Sequence, residues 1–192
     1  MTSRTQLPNL LRLLALTSLT IATGHAATQW HSIATESRLR FTARWETNPV
    51  PGYFKSFQVQ LTTKQAIPQL LGVRVDTLSL RFDSPLIAHA ARGKVWFDVH
   101  QFNQARFTSS QFVAVHPDGE YQALGTLFLK GAHQPISIFF HCIPVKPNQL
   151  ELIGHAQVIR TTFGIGAGPW LTSSIIGKRV NIRFQVRLVH VH

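Results

Sequence analysis

Histidine is the first residue type in this chain that could do chemistry. The sequence holds ten histidines, and a neutral imidazole is a common ligand for zinc and copper. His190 and His192 are two apart on a predicted strand, so they would share one face. No histidine pair has the i, i+4 spacing with a glutamate that marks a helical zinc site. The spacing therefore does not predict a metal centre, and no residue is assigned as a metal ligand.

Residues for acid–base or nucleophilic catalysis are also sparse. The eight carboxylates form no local pair, and there is no Gly-x-Ser-x-Gly elbow. Cys142 is the only cysteine and lies in an apolar strand, where a free thiol usually acts as a small buried hydrophobe. The glycines from Gly164 to Gly168 lead to Pro169-Trp170 and not into a helix, which favours a hairpin loop or barrel lid over a phosphate loop. We therefore predict no catalytic residues, no enzymatic activity and no cofactor.

The N-terminus has the pattern of an export signal. Arg4 and Arg12 are followed by an apolar run of ten residues, and small residues precede a cleavage position after Ala26. The run is about half of the ~20 residues that a membrane-spanning helix needs. We therefore predict a signal peptide over residues 1–26, a single mature domain over residues 27–192 and a periplasmic location.

The chain is basic, with 19 lysines and arginines against 8 acidic residues. Two of the basic residues belong to the predicted signal peptide, so the mature domain carries a formal charge of +9. These residues are spread singly along strands, without a basic helix or a stacking motif. We therefore predict no nucleic-acid partner and favour an anionic surface, such as a membrane or an acidic protein.

Hydrophobic periodicity predicts an all-β protein. Between Leu39 and Trp45 apolar and polar residues alternate, as they do from Arg179 to His190, which is typical of strands with one buried face. A change of parity near Thr77 indicates a bulge or kink. One short helix is expected, beginning at Pro85 behind a Ser84 cap and ending at Gly93.

About eight strands with mostly short connections predict an antiparallel meander. Eight such strands usually close into a barrel, because closure removes the unpaired edges. A β-sandwich with a filled core has the same periodicity. The aromatic residues occur on nearly every strand, which suits either a packed core or an apolar tunnel for a chain-like lipid.

Several short motifs, in order along the mature chain, resemble the YceI-like family of exported lipid- and polyisoprenoid-binding proteins. The motifs are Ser37-Arg38-Leu39-Arg40-Phe41, Val50-Pro51-Gly52-Tyr53-Phe54-Lys55-Ser56-Phe57, Trp96-Phe97-Asp98, Phe107-Thr108-Ser109, Gly125-Thr126-Leu127-Phe128-Leu129-Lys130-Gly131 with Pro135, and Arg160-Thr161-Thr162-Phe163-Gly164-Ile165-Gly166.

The resemblance implies an extended, lipocalin-like eight-stranded antiparallel barrel with one short helix. It implies a long apolar ligand, a polyisoprenoid or an isoprenoid-quinone-like lipid, and transient contact with a membrane surface or a membrane electron-transfer protein. The wall residues predicted to bind the ligand are Phe41, Trp45, Phe107, Phe140, Phe163 and Phe184. Two alternatives stay open: an enzyme or metal-binding protein using histidines and arginines at the barrel mouth, and an interaction module whose barrel is filled by side chains.

Overall fold

A computed structural model describes residues 26–115, 119–172 and 174–191 of this chain. The predicted signal peptide, up to residue 25, lies outside the described residues, and so does His192. No helix in the described ranges is long and apolar enough to cross a membrane.

Eleven strands and two short helices make up most of the structure. The strands are β1 (Thr28–Ser32), β2 (Arg38–Trp45), β3 (Asn48–Phe54), β4 (Phe57–Lys64), β5 (Ile67–Asp76), β6 (Leu80–Phe82), β7 (Gln104–Ala114), β8 (Glu120–Leu129), β9 (Ala132–Lys146), β10 (Gln149–Ile159) and β11 (Arg179–Val191). The helices are α1 (Pro85–Arg92) and α2 (Pro169–Thr172).

Eight of the strands form a closed antiparallel ring. The order is β1-β4-β5-β7-β8-β9-β10-β11, and β11 pairs back onto β1 through Gln29↔Val191 to Ser32↔Leu188. The predicted eight-stranded antiparallel barrel is therefore confirmed. Closure leaves no free edge along the ring.

The remaining strands, β2, β3 and β6, extend the barrel wall at one end. The N-terminal half of β11 pairs with β2, β2 pairs with β3, and β3 pairs with β6. Each of these strands is adjacent in sequence to a ring strand. The pairs β1 and β2, β3 and β4, and β5 and β6 are therefore three long strands, each broken once.

The break between β5 and β6 lies where the sequence predicts a kink. A 3-10 turn occupies Thr77–Ser79. The Asp76 carboxylate accepts a hydrogen bond from the Leu78 amide at 2.9 Å, and the Ser79 hydroxyl donates to the Asp76 carbonyl at 2.6 Å. The change of hydrophobic parity is thus a real interruption of the strand.

Helix α1 begins and ends as its sequence predicts. The Ser84 hydroxyl accepts a hydrogen bond from the Ile87 amide at 3.4 Å, Pro85 is the first helical residue, and Gly93 follows the last one. The helix buries Ala88 and Ala91 and packs near β6. Its N-terminal residues lie at the end of the barrel that β2, β3 and β6 extend.

The main hydrophobic core lies at the end of the barrel away from β2, β3 and β6, which is called the ring end below. Residues from all eight ring strands except β1 supply its buried core, which includes Leu61, Phe140, Leu152 and Leu188, each at most 1% exposed. The filled-barrel alternative thus describes this half of the molecule. The other half, between α1 and the extension, is not filled.

Candidate functional site

A cavity of about 440 Å³ lies in the extended half of the barrel. Its walls come from β2, β3, β6 and α1, from the inward faces of β5, β7, β8, β10 and β11, and from the segments that carry Trp96 and Trp170. The lining side chains are almost all aliphatic or aromatic; the polar residues among them are Arg40, Arg44 and Arg160. Such a cavity favours an apolar ligand, because most of its lining offers no partner to a buried polar group.

Tryptophan rings form one side of this cavity. The Trp170 ring lies 6.2 Å from both Trp45 and Trp96, centroid to centroid. Four residues before Trp45 on the same face of β2, the Phe41 ring lies 5.5 Å from Phe54 and from Phe82. Large flat side chains provide much apolar contact area with few rotatable bonds, which suits a slender ligand.

Two of the six predicted wall residues, Phe41 and Trp45, line the cavity. Phe107, Phe140 and Phe184 belong to the packed core of the ring end, deeper in the barrel. Phe163 is buried with Val158 and Ile165 beneath the glycine-rich segment. The structure therefore does not bring the six together, and their role as ligand contacts remains a prediction.

Phe107 and Phe184 belong to the core cluster next to the cavity lining, where we infer the floor of the cavity. They follow the cavity-lining Ala105 and Ile182 by two residues, on the same strand face. The Phe184 ring covers Gly154, its direct partner on β10. The Phe107 ring likewise covers Gly125 on β8. A Cβ at either glycine would collide with the ring, so each pair closes the barrel at this depth.

Arg160 is a site residue that sequence reasoning missed, although it lies in one of the family-like motifs. Its side chain is 3% exposed and donates from Nε, Nη1 and Nη2 to backbone carbonyls at 2.7–3.5 Å. The acceptors are Gly177, Ile165, Gly166, Trp170 and Ile176. Burial lowers the pKa of Arg160 from its ordinary value.

The five carbonyls place Arg160 at the centre of the cavity wall. Guanidinium has five N–H donors, and each has a carbonyl here, so none is left for a ligand. Its Cζ also lies 5.7 Å from the centre of the Trp96 ring. Gly166 has φ +75°, and a Cβ there would collide with Nη1. The glycine-rich segment therefore wraps the arginine and holds Trp170 in the wall.

The interpretation of this segment as a loop without a following helix needs correction. After Gly164 the chain turns and forms the single helical turn α2 at Pro169–Thr172. The carbonyl of Trp170 accepts from Arg160, which stabilises that turn. Local pattern did not predict this turn, because the donor that stabilises it lies ten residues away.

Lys130 supports the same wall from the β8–β9 turn. Its Nζ donates to the carbonyls of Lys94, Val95 and Gly164 at 2.8–3.2 Å. Desolvation lowers the pKa of Lys130, and the charge of Asp98 partly opposes this shift. The contacts join the segment before Trp96 to the glycine-rich segment.

The cavity opens between α1, the β2–β3 hairpin and the segment around Ile176. Three of its large apolar lining residues are also solvent-exposed: Leu86 at 78%, Trp45 at 45% and Ile87 at 36%. A short β-bridge joins Trp45 to Ile176 across this opening. Leu86 and Ile87 lie in the first turn of α1, after Pro85, and were not predicted as site residues.

The described histidines show packing contacts. His190 lies 5.5 Å from the Trp30 ring, His133 lies 5.7 Å from Phe128, and His155 is stacked on Phe139 at 5.4 Å. Within the ranges 26–115, 119–172 and 174–191, no three His, Cys, Asp or Glu side chains are close enough to share a metal ion.

We expect Cys142 to be unreactive in the folded protein. Desolvation raises its pKa from 9.0 to about 11, so little thiolate exists near neutral pH. Alkylation by iodoacetamide in neutral buffer, followed by mass spectrometry, should be much slower for native than for guanidine-unfolded protein. Equal rates would contradict the prediction.

The same shift gives a pH dependence of stability. Because the folded pKa is the higher one, the contribution of Cys142 is complete below pH 9 and is lost as the pH rises to about 11. The Cys142→Ser variant, compared with wild type by denaturant titration, should lack this part of the decline.

A second depression, about 560 Å³, lies on the outer face of β8, β9 and β10. Its lining includes Thr126, Ser137 and Gln157, on the opposite strand face from the barrel core. It is open and mixed in polarity, whereas the inner cavity is enclosed by apolar side chains. The inner cavity is therefore the candidate site.

Comparison with solved structures finds the same fold in bacterial proteins. BcnA of Burkholderia cenocepacia is similar with a TM-score of 0.75 and 23% identity, over 81% of this chain and 98% of that one. A polyisoprenoid-binding domain from Saccharophagus degradans is similar with a TM-score of 0.66 and 13% identity, over 84% and 98%. A YceI protein of Campylobacter jejuni has a TM-score of 0.61 and 16% identity, over 73% and 85%.

At these identities the structural likeness shows the fold alone. No curated protein matches this sequence. The YceI-like domain family matches residues 30–188, which cover the barrel from β1 to most of β11. The closed eight-stranded barrel, its extension and this match together show that the chain belongs to the YceI-like family.

Proposed function

We propose that this protein is a non-enzymatic, exported binding protein that holds an isoprenoid-type lipid in its barrel. The observation that carries the proposal is the cavity of about 440 Å³, whose walls are apolar and whose one deeply buried cation has no free donor. Family membership and the likeness to a polyisoprenoid-binding domain support this ligand class.

The cavity size constrains how such a lipid is held. Pockets for drug-sized ligands measure about 300–1,000 Å³, and this cavity lies in the lower part of that range. The floor at Phe107 and Phe184 separates it from the packed core. A long polyisoprenoid would therefore enter with one end only, with the rest of the chain outside the mouth.

Native mass spectrometry followed by organic extraction tests the proposal. Untagged protein recovered from the export compartment should carry a bound mass that extracts as an isoprenoid lipid. Ala105, which is 7% exposed and lines the cavity, offers a blocking variant. Ala105→Trp should fill the cavity and abolish the bound mass.

Ala114→Trp is the matched control, because Ala114 lies on the same strand but is exposed. Circular dichroism and thermal unfolding would show that both variants fold. Wild-type protein without bound lipid, under conditions that keep a lipocalin loaded, would overturn the proposal. Equal lipid retention in the folded Ala105→Trp variant would remove the cavity as the binding site.

A further inference from the structure

Exposed apolar side chains gather around the cavity mouth. Leu86 is the most exposed large hydrophobic residue of the described chain, at 78%. Helix α1 does not need it for packing, because Ala88 and Ala91 face the barrel. Its neighbour Ile87 and the hairpin residue Trp45 are also exposed at the mouth. A large apolar side chain that is exposed to solvent beside an apolar cavity indicates a surface that a binding partner covers.

The segment on the other side of the mouth continues this apolar rim. Leu171 and Ile175 are 37% and 41% exposed and are next in sequence to the cavity-lining Trp170 and Ile176. The Ile175 carbonyl accepts a hydrogen bond from the backbone amide of residue 46, in the β2–β3 hairpin. The rim is therefore Trp45, Leu86, Ile87, Leu171 and Ile175.

Basic residues are frequent in the segments that carry this rim. The segments 40–50, 81–94 and 170–179, which form the mouth, contain seven lysines and arginines and two carboxylates. The basic residues are Arg40, Arg44, Arg81, Arg92, Lys94, Lys178 and Arg179. This excess of positive charge attracts an anionic surface, and each lysine or arginine close to that surface strengthens the binding.

One of these basic residues, Arg40, faces another arginine across the sheet. Arg40 lies directly opposite Arg183 in the β2–β11 pairing, and both are exposed on the outer face. Like charges in direct cross-strand register destabilise a sheet. Neither arginine forms an ion pair within the described part of the chain. An external anion would relieve the repulsion.

We propose that the rim and its basic surround form a docking surface for anionic lipid bilayers, through which the cavity exchanges its cargo. The inference rests on the proposed lipid-binding function. Apolar tips inserted at the interface, together with cations over anionic headgroups, are the two signals of reversible membrane attachment. A second copy of this chain fits less well, because a twofold contact would oppose two basic surfaces.

Vesicle co-sedimentation tests the docking surface. The full mature protein should bind vesicles of phosphatidylglycerol mixed equally with phosphatidylcholine, and bind phosphatidylcholine vesicles weakly. Added salt should weaken the binding, because the charges at the rim are exposed. Leu86→Glu should lower the partition coefficient about tenfold, through loss of apolar contact and added repulsion.

Ile67→Glu is the matched control for the apolar rim. Ile67 is 52% exposed and lies in the β4–β5 hairpin, at the opposite end of the broken β3–β4 strand from the mouth. For the charges, Arg44→Gln with Lys178→Gln should weaken binding about tenfold or more. The pair Lys64→Gln with Lys146→Gln removes the same charge at the far end and should leave binding near the wild-type value.

The outcomes separate this proposal from the function on which it rests. Cargo is measured by extraction and docking by sedimentation. Protein that retains lipid but does not bind anionic vesicles would overturn the docking surface alone. Equal weakening by Leu86→Glu and Ile67→Glu would also overturn it. Binding to anionic vesicles by protein that never holds lipid would overturn the carrier function and leave a membrane-binding surface.

Discussion

The Arg160→Lys variant is expected to lose about 3 kcal/mol of folding stability although its charge is unchanged. Lysine has three donors on one nitrogen, whereas Arg160 serves five backbone carbonyls from a planar fork. At least two buried carbonyls would lose their donor, at about 1–3 kcal/mol each. Denaturant titration of wild type and variant would measure the difference in free energy of unfolding.

The loss should extend to the cavity, since the same carbonyls hold Trp170 and Ile176 in its wall. We expect the folded fraction of Arg160→Lys to retain less lipid than wild type. Arg179→Lys is the control, because Arg179 is exposed at the start of β11, and it should change stability by less than about 0.5 kcal/mol. Similar stability of the two variants would show that the fork geometry of Arg160 is not needed.

A pair of glycine variants tests the same arrangement independently. Gly166 and Gly168 both have positive φ, +75° and +65°, so alanine strains the backbone at either position. Only at Gly166 would the new Cβ collide with the Arg160 guanidinium, since nothing lies near it at Gly168. Gly166→Ala should therefore be the more destabilising change.

The Phe184→Ala variant is expected to lose about 3 kcal/mol and to lengthen the cavity. Truncating a core phenylalanine costs about 3–5 kcal/mol, through lost burial and the void that remains; Phe184 is only partly buried, which places it at the low end. The void would lie between the cavity floor and Gly154, which the ring now covers. Binding of prenols of graded chain length, followed by native mass spectrometry, should show a shift towards longer chains.

Phe128→Ala serves as the control for this change. The Phe128 ring is 48% exposed on β8, so its loss should affect stability by less than about 0.5 kcal/mol and leave the chain-length preference unchanged. If Phe184→Ala does not fold, Phe184→Leu makes a smaller void at the same place. An unaltered chain-length preference in a folded Phe184 variant would show that this ring is not the floor.

Much of the secondary structure is predictable from local pattern. The alternation in β2 and β11 reports which face is buried, because successive side chains point to opposite sides of a strand. The cap at Ser84, the proline after it and Gly93 set the ends of α1. The parity change near Thr77 locates the break between β5 and β6. Each of these signals involves residues close in sequence.

The position of the candidate site depends on contacts between residues that are distant in sequence, which local pattern does not predict. Phe41 and Phe184 both alternate inward, yet Phe41 faces the cavity and Phe184 covers a glycine on a neighbouring strand. Periodicity gives the face of a residue but not what lies opposite it across the barrel. Local sequence pattern was therefore enough for the all-β class, most strands and helix α1, whereas the barrel rather than a β-sandwich was expected from strand number and the family resemblance. The position of the cavity follows from the tertiary structure, because it depends on pairing between distant strands and on hydrogen bonds from Arg160 to carbonyls up to 17 residues away.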